Sequence, residues 1–88
     1  MSRFVGMDSA QIRTLVQTMS HQAEELRHIV SKSSAALESL EWAGRDRDRM
    51  LDTWRSQHLV SLMAAEQRLR DASQEAMRYA EAQERASR

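Results

Sequence analysis

Apolar residues recur along the first half of the chain at Ile12, Val16, Met19, Ala23, Leu26, Val30, Leu37 and Leu40. With Ser33 included, every step in that series alternates between four and three. A period of 3.5 keeps one stripe on one side of an α-helix, the pattern of a helix packed lengthwise on another. A second series runs Leu51, Trp54, His58, Leu62, Ala65, Leu69, Ala72, Ala76 and Tyr79, with two consecutive steps of four around His58. Such a change of phase moves the stripe around the helix without ending it.

Between the two series stands "LEWAGRDRDRMLDTW", with Gly44 at its centre in a chain that has no proline. Glycine adopts the positive φ that reverses a chain at little cost. Asp46 or Asp48 then falls in the first turn of the next helix, beside exposed N–H groups and the positive end of the helix dipole. At the amino end, Asp8 or Ser9 is the N-cap candidate. The pattern predicts one domain over 1–88: a flexible arm 1–8 carrying Phe4 and Val5, a helix 9–41, a turn 42–45, a helix 46–84 and a frayed tail 85–88. Rods of about 50 and 60 Å joined by a short connection lie antiparallel, as a helical hairpin.

The stripes are wider than two facing helices need. Leu15, Ile29 and Ala36 lie beside the first, and Leu59, Met63 and Met77 beside the second. A broad apolar face belongs to a bundle helix, and with two helices per chain the missing cover comes from another chain. The expectation is a dimeric four-helix bundle, since closed two-fold association is the commonest kind. Its hairpin and dimer core would be Ile12, Val16, Met19, Leu26, Val30, Leu37, Leu40, Leu51, Trp54, Leu62 and Leu69. The alternative is a monomer with an apolar flank.

Composition agrees with an all-α fold. Ala, Leu, Glu, Arg, Gln and Met dominate, while Val, Ile and Thr are sparse. Eighty-eight residues build only a marginal core from one copy. Basic and acidic residues balance at 13 each and are interleaved, which argues against a nucleic-acid partner. The alternating Arg45–Arg49 run reads as capping and a solvated loop face. With no cysteine there is no disulfide framework or thiol chemistry. The amino terminus has no continuous apolar segment of a signal peptide, and no run approaches the roughly 18 apolar residues of a membrane span.

Chemistry finds little foothold. His21, Glu25 and His28 share a helix face, but the two histidines are two turns apart, about 10 Å along the axis, too far to hold one ion. His58, in mid-stripe, is expected as a partly buried core histidine; burying a charged imidazole would then weaken pairing as pH falls to about 5. No nucleophile–base set, phosphate loop or pair of acids in a cleft can be assembled. The expectation is a protein without catalytic residues, cofactor or metal. Trp42, at the predicted tip, either packs onto the bundle end or stays part exposed as an aromatic anchor.

Trp42-Ala43-Gly44 between two long helices resembles the WXG family of small type VII (ESX) secretion substrates. "MDSAQIRTLV" is similar to that family's start of helix one. Leu37, Leu40, Trp42, Gly44, Asp46, Met50 and Trp54 follow its spacing around the motif, and Leu62, Leu69 and Ala72 continue it over roughly 7–80. The resemblance implies a hairpin that pairs with a second copy or a paralogous WXG-type chain. It also implies export in folded form by a membrane-bound type VII secretion ATPase, so that the protein is secreted without a cleaved signal peptide and is cytoplasmic before export. In that family the turn of one subunit lies near the end of its partner's second helix, where a Tyr-x-x-x-Asp/Glu motif supports export. Here Tyr79 is followed at the fourth position by Gln83, and Glu84 comes one residue late, about 100° around the helix, so the export signal is degenerate. Two other classes stay open: an intracellular coiled-coil adaptor and a membrane-active secreted effector.

Overall fold

The computed structural model describes residues 6–41 and 44–87. Among them the chain is all helical, with no strand. Helix α1 spans Ser9–Ser39; α2 spans Arg45–Thr53 and continues through a π turn at Trp54–His58 into α3, Leu59–Ala86. Helix α1 runs antiparallel to the continuous second helix. The register is fixed by bridges along the whole length: Met7 to Gln83, Arg13 to Glu84, Ser20 to Ser73, Glu24 to Arg70, Ser34 to Trp54 and Glu38 to Arg55. The molecule is an extended rod measuring 64 × 21 × 15 Å.

Local chemistry sets the helix ends. Asp8 is the N-cap of α1: its carboxylate accepts from the Gln11 amide at 2.8 Å, and the Gln11 side chain accepts from the Asp8 amide at 2.9 Å. This reciprocal box satisfies two N–H groups that the first turn leaves open. Helix α1 stops at Ser39, two residues before the predicted end, with Leu40 extended and the Ser39 hydroxyl donating to the Ala36 carbonyl at 2.9 Å. Gly44 has φ +90° and forms the N-cap of α2, so it starts the second helix and does not terminate the first. Asp46 and Asp48 occupy the first turn of α2. Helical geometry persists to Ala86, two residues beyond the predicted helix end at 84. Residues 1–5 of the predicted arm, Trp42 and Ala43 of the predicted turn, and Arg88 lie outside the described residues.

The core is thin. Among the described residues Ile12, Ala23, Ala76 and Ala80 are fully buried, Val16 and Leu51 nearly so, and Ile12 is the only large side chain of the fully buried ones. Met19, Leu26, Val30, Leu37, Trp54, Leu62 and Leu69 are half-buried. Leu40, placed on the stripe by its spacing, is 45% exposed because the helix has ended beneath it. Val60 and Met63 are more than half exposed on α3.

The second stripe differs from the one predicted. Its inward positions are Leu51, Trp54, Leu59, Leu62, Glu66, Leu69, Ser73, Ala76, Ala80 and Gln83, all buried or half-buried. These steps alternate between three and four except for a single step of five across the π turn. Ala65, Ala72 and Tyr79 are half-buried beside the stripe, while Ser73 and Ala80 are buried on it. His58, expected in the core, is exposed: the π turn bonds the Leu59 amide to the Trp54 carbonyl, so Leu59 takes the inward place. A π turn holds one residue more than an α turn, and it absorbs the phase change that a regular helix would have carried as drift.

Candidate functional site

The two ends of the rod carry the residues singled out in the sequence. At the tip, Gly44 begins α2, and three long side chains reach back to α1. The Trp54 indole Nε1 donates to Ser34 Oγ at 2.9 Å, Arg55 Nη2 donates to Glu38 Oε1 at 3.2 Å, and Arg47 Nη2 donates to the Glu38 carbonyl at 3.3 Å. Arg47 Nε is buried without a hydrogen-bond partner among the described residues. The close backbone approach of α1 is to α3, where alanine and serine line the contact, so these tip residues span a wider gap through their side chains.

At the open end, Arg13 Nε and Nη2 donate to the two carboxylate oxygens of Glu84, at 2.9 and 2.5 Å. Arg13 Nη1 also lies 3.3 Å from the Met77 sulfur. The hydrogen bond and charge of Glu84 raise the Arg13 guanidinium above its ordinary value. Arg70 is raised in the same way by hydrogen bonds to Glu66 and Glu24. Gln83 Nε2 donates to the Met7 carbonyl at 3.1 Å, tying the entry of α1 to the end of α3. Tyr79 is half-buried and packs against the cluster of Ile12, Val16, Ala76 and Ala80, as do Met7, Leu15, Met19 and Met77.

Gly44 and the Tyr79, Gln83, Glu84 group therefore stand at opposite ends of one chain. Gln83 is held by Met7, just ahead of α1, and Glu84 by Arg13 of α1 as the acceptor of an interhelical ion pair. The sequence pattern did not pick out Arg13, Ser20 or Ser73. The seven-residue spacing of Leu59, Glu66, Ser73 and Ala80 could have found the serine, because it is the spacing of a stripe with two polar members.

The helix flanks are unlike. The described ion pairs between helices, Arg13–Glu84, Glu24–Arg70 and Glu38–Arg55, share one flank by their helical spacing. The other flank carries Leu15, Ile29 and Ala36 from α1 with Ala65, Ala72 and Tyr79 from α3. Met63 and Met77, two of the residues that the stripe reading set beside the second series, fall on the ion-pair flank, while Leu59 lies on the inward stripe. Met77 is there partly covered by the hairpin itself.

His21 Nε2 lies 2.8 Å from Glu25 Oε1, an exposed pair along one helix. Among the described residues no group of three histidine or acidic side chains is placed to hold a metal ion. The concave regions are open grooves along single helix faces, such as His21–Glu24–Glu25–His28 and Asp46–Arg49–Met50–Thr53. No described helix is long and apolar enough to cross a membrane. No family model matches this chain, and no curated protein or solved structure matches it either.

Proposed function

We propose that this chain is one half of a paired helical-hairpin assembly, a non-enzymatic substrate or export partner of a type VII (ESX) secretion system. The observation that carries the pairing is the thinness of the core, in which Ile12 is the largest fully buried side chain among the described residues. A single rod of this size buries too little apolar surface to offset its chain entropy comfortably. The flank bearing Leu15, Ile29, Ala36, Ala65, Ala72 and Tyr79 is where a second hairpin packs to give a four-helix bundle, with Ile29 now 57% exposed. The secretion reading comes from the resemblance to the WXG family, supported by the end of α1 at Ser39, the start of α2 at Arg45 and Gly44 at positive φ.

Gln83 is engaged by Met7 and Glu84 by Arg13 of the same chain, so where the partner is a paralogous WXG-type chain it is the partner that brings the export-competent Tyr-x-x-x-acid motif. A second copy of this chain would bring only another degenerate motif. The type VII ATPase is the machine that would take the assembled pair.

Two measurements test this. Mass in solution at micromolar concentration should read twice the chain's 10.2 kDa, or the sum with a co-expressed paralogue, and Ile29→Glu with Ala36→Glu should return it to the single chain. In a bacterium with a type VII system, the chain should reach the culture medium, and it should stay inside cells when the ATPase is inactivated. Pairing without export would point to the coiled-coil adaptor; a folded monomer would remove both readings.

A further inference from the structure

The π turn at Trp54–His58 is required by the phase of the sequence. Continued back from Leu59 in regular α geometry, the inward positions would be Arg55, Asp52, Asp48 and Arg45, every one of them charged. The extra residue instead brings Trp54, Leu51 and the stem of Arg47 inward. Burial of Leu51 to 8% exposure and the Trp54–Ser34 hydrogen bond are what the turn gains. It gives up the tighter hydrogen bonding of an α turn, a geometry rarely kept without such compensation.

We propose that this turn is a phase switch coupled to the docking of Trp54. With Trp54 and Leu51 seated on α1, the extra residue is held in place. When they leave α1, the second helix relaxes to regular α geometry, and the tip segment Arg45–Thr53 turns by about 100° relative to α3, the rotation of one residue. That rotation brings Asp52 and Arg55 toward α1 and carries Met50, now 44% exposed, from the flank to the outer face. The surface shown at the tip is thus set at Trp54, ten residues from Gly44. This holds whether or not the chain is exported.

The carbonyl of Trp54 reports the state directly, because it accepts from the Leu59 amide in the π turn and from the His58 amide in an α-helix. In the full-length, isotope-labelled chain, coupling measured across that hydrogen bond should join Trp54 to Leu59. In Trp54→Ala it should move to His58 while the helical signal of the hairpin persists; should that variant fail to fold, Leu51→Ala should show the same move. Deletion of Gln57 removes the extra residue, leaves an unbroken alternation of threes and fours, and should melt no lower than the parent chain. Coupling that stays on Leu59 in the folded Trp54→Ala or Leu51→Ala chain would overturn the switch. So would a deletion variant that melts well below the parent.

Discussion

Ser20 Oγ and Ser73 Oγ meet at 2.9 Å between α1 and α3, and Ser73 also donates to the Val16 carbonyl at 3.4 Å. Ser73 is 7% exposed, in a stretch where Ala76 and Ala80 are fully buried. Small residues at these places let the two backbones approach, and a buried hydroxyl is tolerated because it has partners. Ser73→Leu should cost about 1–3 kcal/mol by overpacking that contact. Ser73→Ala keeps the volume and should cost about 1 kcal/mol or less, since Ser20 reaches solvent and stays hydrated. Urea unfolding of the two variants, at equal concentration, checks both the order and the gap.

The pair Arg13–Glu84 closes the open end with two hydrogen bonds, yet both side chains are exposed by a third or more. Exposed pairs add little to global stability. Their position matters more, because Glu84 sits in the last turn of α3 and Arg13 just after the capped first turn of α1. In Glu84→Gln, amide exchange over 81–86 should speed several-fold while the melting temperature hardly changes. The raised Arg13 makes the sign explicit: its stabilisation is complete below the arginine's ordinary range and is lost only as pH rises through the folded value in strong alkali. Across pH 5–8 this contact should therefore contribute no slope through Arg13.

His58 changes an expectation about acid. A core imidazole would have to be charged at a cost, whereas this one is exposed, with its ring centroid 6.4 Å from that of Trp54. His58→Gln should leave the difference in melting temperature between pH 7 and pH 5 as it is in the parent chain. A slope that disappears with His58→Gln would mean that the histidine is covered in the assembled form.

The all-helical fold and the hairpin were legible because the stripe of α1 is nearly uninterrupted from Ile12 to Leu37, and because Gly44 stands between two such stripes. The inward residues of α3 were less legible. Choosing apolar residues favoured Ala65, Ala72 and Tyr79, whereas the true stripe passes through Glu66 and Ser73, which carry Arg70 and Ser20 as partners. Polar residues that find a partner in the fold look like surface when read one at a time. The two consecutive fours at His58 were a correct signal of a phase change, but spacing alone does not distinguish drift from an inserted residue. The end of α1 was misread for a related reason: Leu40 and Glu41 continue the pattern, while the Ser39 hydroxyl has already taken up the Ala36 carbonyl. Interhelical ion pairs such as Arg13–Glu84 join residues far apart in sequence, and no local spacing announces them.

Gly44 gives the sharpest test of the turn. Its φ of +90° and ψ of −157° fall in a region open essentially to glycine alone, yet nothing lies within 4 Å of where a Cβ would sit. The obstacle to a side chain is therefore the backbone conformation and not crowding. Gly44→Ala should cost about 1–3 kcal/mol, the cost of holding an L-residue in such a conformation. For a D-residue the same angles are the mirror image of extended backbone, which is unstrained. Chemical synthesis with D-alanine at position 44 should therefore do the opposite of Gly44→Ala and stabilise the hairpin by about 0.4–1 kcal/mol, by restricting the unfolded chain. Urea unfolding of the glycine, L-alanine and D-alanine chains should rank D-alanine highest and L-alanine lowest. If L-alanine equals glycine, the loop has moved to a negative φ at that residue without loss, and the turn is not anchored at Gly44.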